Sequence, residues 1–156
     1  MLVKGQNSYV DLGEANAYFA DRLDVAAWTE ASDLEREQAL VTATSMLDSY
    51  EWIGQVVDPL QPLAFPRNAQ YFDQRLGMLA SMNPVPNRIL VACYELAYHL
   101  LNNDGLLDST GTVKSITVGP ISLTNIVSSA KAPYAIKKSL SGMLAKGVGG
   151  AWWRAN

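Results

Sequence analysis

A chain of 156 residues with 49% hydrophobic content is one domain by length and can bury a core without staples. Its single cysteine, Cys93, excludes an intramolecular bridge and points to a reducing, intracellular setting, while the absence of a signal pattern and of any apolar run near the ~18 residues of a bilayer span predicts a soluble protein with no membrane partner. The net charge of -3 hides a segregation: residues 1–60 carry eleven acidic and three basic residues, the remainder four acidic and nine basic, and from Ser109 onward there is no acid at all. Such a basic half suits a polyanion, the acidic half of another copy in a head-to-tail contact, or simple solvation.

Asp11 with Glu14 three positions on has the form of a capping box, and Ala15, Tyr18, Phe19 and Arg22-Leu23 share one stripe, predicting a helix from Leu12 to about Leu23. Trp28 lies in a short link after it. Ser32 and Glu35 repeat the capping signature, and Ala39, Leu40, Ala43, Met46, Leu47 and Tyr50 recur at spacings of three and four, predicting a helix from about Asp33 to Glu51. From Ile53 to Pro86 lies a long excursion with five of the seven prolines and one weakly helical piece, Asp73 to Met82. Within it, Leu60-Gln-Pro-Leu-Ala-Phe-Pro-Arg-Asn68 is neither helix nor central strand, because Pro62 and Pro66 hold the backbone extended. Leu63 and Phe65 can then alternate inward, with Arg67 presented either as scaffold or for a subunit contact.

Pro86 suits the first turn of a third helix. From Arg88, Ile89, Cys93, Leu96, Ala97, Leu100 and Leu101 keep helical spacing to Asn102, and Asn103-Asp104-Gly105 stops it. Val113 to Leu123 reads as a β-hairpin or two short strands. Pro133 opens a last helix with Ile136, Leu140, Met143 and Leu144 on its apolar stripe and Lys137, Lys138 and Lys146 largely off it; Gly147, Gly149 and Gly150 end it. The expected fold is mainly α: a small bundle of about four helices with a long loop and a short β-hairpin near the C-terminal third. Residues 1–146 form the domain, and 147–156 a flexible tail.

No residue set points to catalysis. His99, the sole histidine, has no serine or second metal ligand at a helical offset, and Cys93 lies on an apolar stripe, as a core residue would. One His and one Cys cannot build a typical structural zinc site, and no acidic run has the alternation of a calcium loop. Gly142 to Gly150 lacks the Lys and Ser/Thr of a phosphate loop and leaves a helix rather than entering one. No enzyme activity, metal or cofactor is expected. Trp152-Trp153 beside Arg154 can fold back on the core, anchor in a protein partner, or stack on nucleic-acid bases.

The series Tyr9-Val10, Ala15-x-x-Tyr18-Phe19, Trp28, Ala39-Leu40-x-x-Ala43-Thr44, Leu47-Asp48, Trp52-x-Gly54, Gln61-x-Leu63-x-Phe65-Pro66-Arg67, Pro86, Ala92-x-x-Glu95-Leu96-Ala97, Lys114-Ser115 and Val118-Gly119-Pro120 resembles a family of tailed-phage proteins. These are often labelled DnaT-like single-stranded-DNA-binding proteins and are similar to head-tail connector (head-completion, adaptor) proteins. The resemblance implies a virion protein of the neck, at the head-tail interface, present in the host cytoplasm during assembly. It would form a ring of roughly twelve copies under the portal, extending the DNA channel and joining head to tail. Its implied partners are the portal protein, downstream neck and tail proteins, itself and, non-specifically, channel DNA. On this reading Trp152, Trp153, Arg154 and Arg67 contact the portal or a neighbouring subunit, while Lys114, Lys131, Lys137, Lys138 and Lys146 face channel DNA or a subunit. The alternative carried by the label is a single-stranded-DNA-binding replication protein.

Overall fold

A computed structural model describes residues 1–102, 112–118, 121–127 and 134–145 of the chain. Helix α1, Leu12–Ala20, begins where Asp11 accepts from the Glu14 N–H at 2.8 Å and the Glu14 carboxylate accepts from the Asp11 N–H at 3.0 Å. It stops three residues short of Leu23, and Asp24, at φ 57°, turns the chain. The expected link around Trp28 is a helical turn instead: α2, Ala26–Glu30, carries Trp28 into the core against Phe19, with ring centroids 4.4 Å apart and the indole N–H donated to Asn16 Oδ1 at 3.0 Å.

Helix α3, Asp33–Asp48, starts from the Ser32/Glu35 box and buries Ala39, Leu40, Ala43, Thr44 and Leu47. These pack on α4, Asn87–Leu101, whose buried face is Ile89, Ala92, Cys93, Tyr94, Leu96 and Ala97; Pro86 is the cap residue just before it. This helix pair is the centre of the core. Cys93 is fully buried beside Thr44, Sγ to Oγ1 3.4 Å, and burial pushes its thiol up to about 12. Because the Ser32 hydroxyl satisfies an otherwise orphaned N–H, Ser32→Ala is expected to lower stability by about 1 kcal/mol in urea unfolding.

The expected helical bundle with one hairpin is corrected here, because the long excursion carries two short antiparallel strand pairs. Strands β1 (Gln55–Val56) and β2 (Arg67–Asn68) pair antiparallel, as do β3 (Gln70–Asp73) and β4 (Met78–Ser81), the latter with Phe72 opposite Leu79 and Asp73 opposite Met78. The weak helical pattern of Asp73 to Met82 loses to this pairing. Along β3 exposed and buried residues alternate, a period of two, and the turn closes as the N–H groups of Leu76 and Gly77 both reach the Asp73 carbonyl, with Gly77 at φ 67°. Met78-Leu-Ala-Ser has little intrinsic strand preference, so its conformation is imposed by the partner strand.

Strands β5 (Thr112–Val118) and β6 (Ile121–Val127) form a third antiparallel pair, with Val118 opposite Ile121 and Thr112 opposite Val127. Helix α5, Tyr134–Leu140, brings Ile136 and Leu140 to the core next to α4, and Met143 joins them. Beyond it the chain locks onto the start of the excursion: the Ala145 N–H donates to Glu51 O at 2.8 Å and the Ile53 N–H to Met143 O at 3.0 Å. No helix among the described residues is long and apolar enough to cross a membrane.

Candidate nucleic-acid interface

Two arrangements built from the excursion bear on function, one holding the fold and one presenting a surface. The first is centred on Arg67. Its guanidinium and Nε donate to four backbone carbonyls, Ile53 at 2.9 Å, Ala64 at 3.1 Å, Trp52 at 3.4 Å and Gly54. Around it, Trp52 donates its indole N–H to Leu47 O at 2.9 Å and meets Phe65 edge-on with centroids 4.9 Å apart. Gln61 donates its amide to Leu63 O and Pro66 O, and the Phe65–Pro66 bond is cis. Gly54, at φ 72°, allows β1 to pass so close to β2 that a Cβ there would sit 2.4 Å from Ala69 Cβ and 2.7 Å from Asn68 O. Every residue of the Trp-x-Gly and Gln-x-Leu-x-Phe-Pro-Arg pattern thus serves one structural knot. Arg67 is half-buried, with its donors engaged on carbonyls of its own chain.

Asp48 borders this knot. It accepts from the Tyr9 hydroxyl and, at 3.3 Å, from the Ala64 N–H. Burial pushes its carboxyl above the ordinary range, against the opposing pull of those hydrogen bonds and of the Arg67 charge.

The second arrangement is the outward face of the β3–β4 hairpin, together with the side chains that clamp it from behind. Asp73, the hairpin's only acid, is 5% exposed and points inward. It accepts from the Arg75 N–H at 2.9 Å and pairs with Arg88 Nη2 at 3.0 Å. Burial opposes ionisation of Asp73, but these N–H groups and the Arg88 guanidinium outweigh it, and the carboxyl is held below its ordinary value. Arg88 also lies 5.4 Å from the centre of the Tyr71 ring and donates to Ser139 O at 3.3 Å, so one side chain from α4 ties hairpin and α5 together. Desolvation raises the Tyr71 phenol, which Asp73 reinforces. The side of the hairpin facing solvent is left with Gln70, Phe72, Leu79 and Ser81, with Arg75 and Leu76 in the turn.

Of the cations singled out in the sequence, Lys138 is exposed on α5, one residue from Ser139. Lys137 belongs to the same helix and Lys114 to β5, though the placement of their side chains lies outside the described residues, as do Lys131, Lys146, Trp152, Trp153 and Arg154 and the whole expected tail 147–156. Phe72, Arg75 and Arg88 were missed by sequence reasoning; the alternation of Gln70 to Asp73 was the available signal, and it spans only four residues.

Other polar clusters are closed on themselves. Glu95 is paired with Arg22 and accepts from the Tyr18 hydroxyl, beside a pocket of about 250 Å³ that His99 also lines. Among the described residues no group of three or more His, Cys, Asp and Glu is placed to hold a metal ion.

Compared with known proteins, residues 1–155 match a family model described as "Putative DnaT-like ssDNA binding protein". No curated protein and no solved structure matches the chain. The description of the matching family is of a DNA-binding protein, and it overturns the expected function of a structural head-tail connector forming a ring under a portal in favour of the single-stranded-DNA-binding alternative.

Proposed function

The chain belongs to the DnaT-like single-stranded-DNA-binding family, and on that footing we propose that it binds single-stranded DNA without sequence preference, as a binding module rather than a catalyst. The observation that carries this reading is the inward turn of Asp73 onto Arg88. It removes the one negative charge of the β3–β4 hairpin from the surface, so the hairpin turn and the adjoining end of α5 offer Arg75 and Lys138 to solvent with no exposed carboxylate on the hairpin. The acid-free stretch from Ser109, with six basic residues and the Trp152-Trp153 pair, adds to the same half of the chain. Residues 1–60 hold eleven of the fifteen acids and would repel a phosphate backbone, which orients the strand toward the basic side.

A module of this type depends on neutralising phosphates, so its affinity is salt-steep. Anisotropy of a labelled oligo-dT titrated with the protein is expected to show binding that weakens with a log–log salt slope between about -2 and -4, corresponding to about three to six phosphate contacts at roughly -0.7 each. A duplex of the same length is expected to bind at least about ten-fold more weakly, because paired bases offer no free faces for stacking. Absence of binding at low salt, or equal affinity for duplex, would overturn the reading.

A further inference from the structure

The same hairpin carries a feature that charge alone does not require. Phe72 is 54% exposed and Leu79, directly opposite it across the strand pair, 60% exposed, while Leu76 in the turn is 52% exposed. Phe72 and Leu79, paired on one outer face, form an exposed apolar surface of the kind that marks interaction sites. Resting on single-strand binding as the function, we propose that this face is a base-stacking platform, with the Phe72 ring taking a nucleobase of single-stranded DNA.

Three observations fit a nucleobase better than the apolar surface of a protein. First, the turn of the same hairpin carries an exposed cation, Arg75, and the hairpin's carboxylate is withdrawn behind the apolar face, a charge arrangement complementary to a base flanked by its phosphates. Second, the flanking positions of the same face, Gln70 opposite Ser81, are exposed uncharged hydrogen-bonding groups, suited to base edges without fixing their identity. Third, the platform is held rigidly. Arg88 clamps β3 from behind, and Gly142, just after α5, lies against the Phe72 backbone, where a Cβ would sit 3.6 Å from the Phe72 carbonyl. Lys138, exposed on that helix, is then a second candidate phosphate contact.

The partner is told apart by how binding fails. In oligo-dT titrations with the full chain, Phe72→Ala is expected to weaken binding about ten-fold, as loss of one stacked base does, with the salt slope unchanged because no charge is lost. Phe72→Leu keeps apolar surface and removes the π face, so it is expected to lose nearly as much. Arg75→Gln is expected to reduce the salt slope by roughly 0.7. Phe72 and Arg75 are both exposed, so all three proteins are expected to unfold at the wild-type denaturant midpoint. Retention of wild-type affinity by Phe72→Leu would replace stacking by plain apolar contact and overturn the proposal. Unchanged affinity of Phe72→Ala would do the same, as would a change in sedimentation mass without a change in affinity, which would make the face a protein interface. In each of these results the wild-type chain still binds single strands, so the functional reading survives; failure of the wild type to bind removes both.

Discussion

Replacing Arg67 by alanine is expected to destabilise the protein by about 2–4 kcal/mol, although the residue lies outside the helical core. Its donors reach four carbonyls drawn from two separate segments, Trp52 to Gly54 and Ala64. Hydrogen bonds from a charged donor are worth about 1.5–3 kcal/mol, and each carbonyl left without a partner in a half-buried site adds a desolvation penalty. In a domain of this size such a change lowers the midpoint of thermal unfolding by about 5–15 °C. Lysine should restore less than half, since one ammonium cannot span the positions a planar fork reaches.

The effect also depends on pH in a defined direction. Asp48 is already pushed up by burial, and Arg67 is one of the groups that favours its ionised form. Without Arg67 its folded-state value rises further, so the mutant's folded state holds the proton more tightly than its unfolded state does. The stability that Asp48 contributes is then present below the unfolded carboxyl value and lost as pH rises through the folded one. The deficit of Arg67→Ala relative to wild type should therefore be larger at pH 7 than at pH 4 in urea unfolding. A loss below about 0.5 kcal/mol, the ordinary range for a surface substitution, would mean that the knot is held by packing alone.

Gly54→Ala is the second large effect, about 3–4 kcal/mol. Two penalties combine. At φ 72° an L-residue is strained by about 1–2 kcal/mol, and the added methyl meets Ala69 Cβ and Asn68 O well inside contact distance, which forces β1 away from β2. Ala69→Gly in the same chain should recover part of the loss, because it removes one clash and leaves the backbone oxygen and the strain, a coupling that a double-mutant cycle measures. Gly77→Ala provides the contrast: its φ of 67° is similar but nothing lies within 4 Å of the added Cβ, so it should cost only about 1–2 kcal/mol. Equal losses at the two glycines would show that the close approach at Gly54 is relieved by small shifts.

Both substitutions fall in the Trp52-x-Gly54 and Gln61 to Arg67 pattern, which on sequence alone was recognisable without being interpretable. A spacing of residues says which side chains recur, but the partners of Arg67 are backbone carbonyls 3 to 15 positions away, and carbonyls are identical at every residue. The same holds for the surface: Phe72 reads as one more apolar residue until its strand pairing turns it outward.

Features that depend on neighbours within a turn or two were legible in the chain itself. Asp11 with Glu14 and Ser32 with Glu35 set the starts of α1 and α3, and the stripes of α3 and α4 set the faces they bury, because capping and helical periodicity are local. The segregation of charge along the chain was equally plain. Long-range pairing, by contrast, makes Gln70–Ser81 a hairpin, since Met78–Ser81 takes its conformation from β3 and not from its own preference. Packing also sets which way that hairpin faces. Arg88 on α4, fifteen positions from Asp73, pairs with that carboxylate on the inward face, opposite the face that carries Phe72, and no local spacing in the sequence announces that pair.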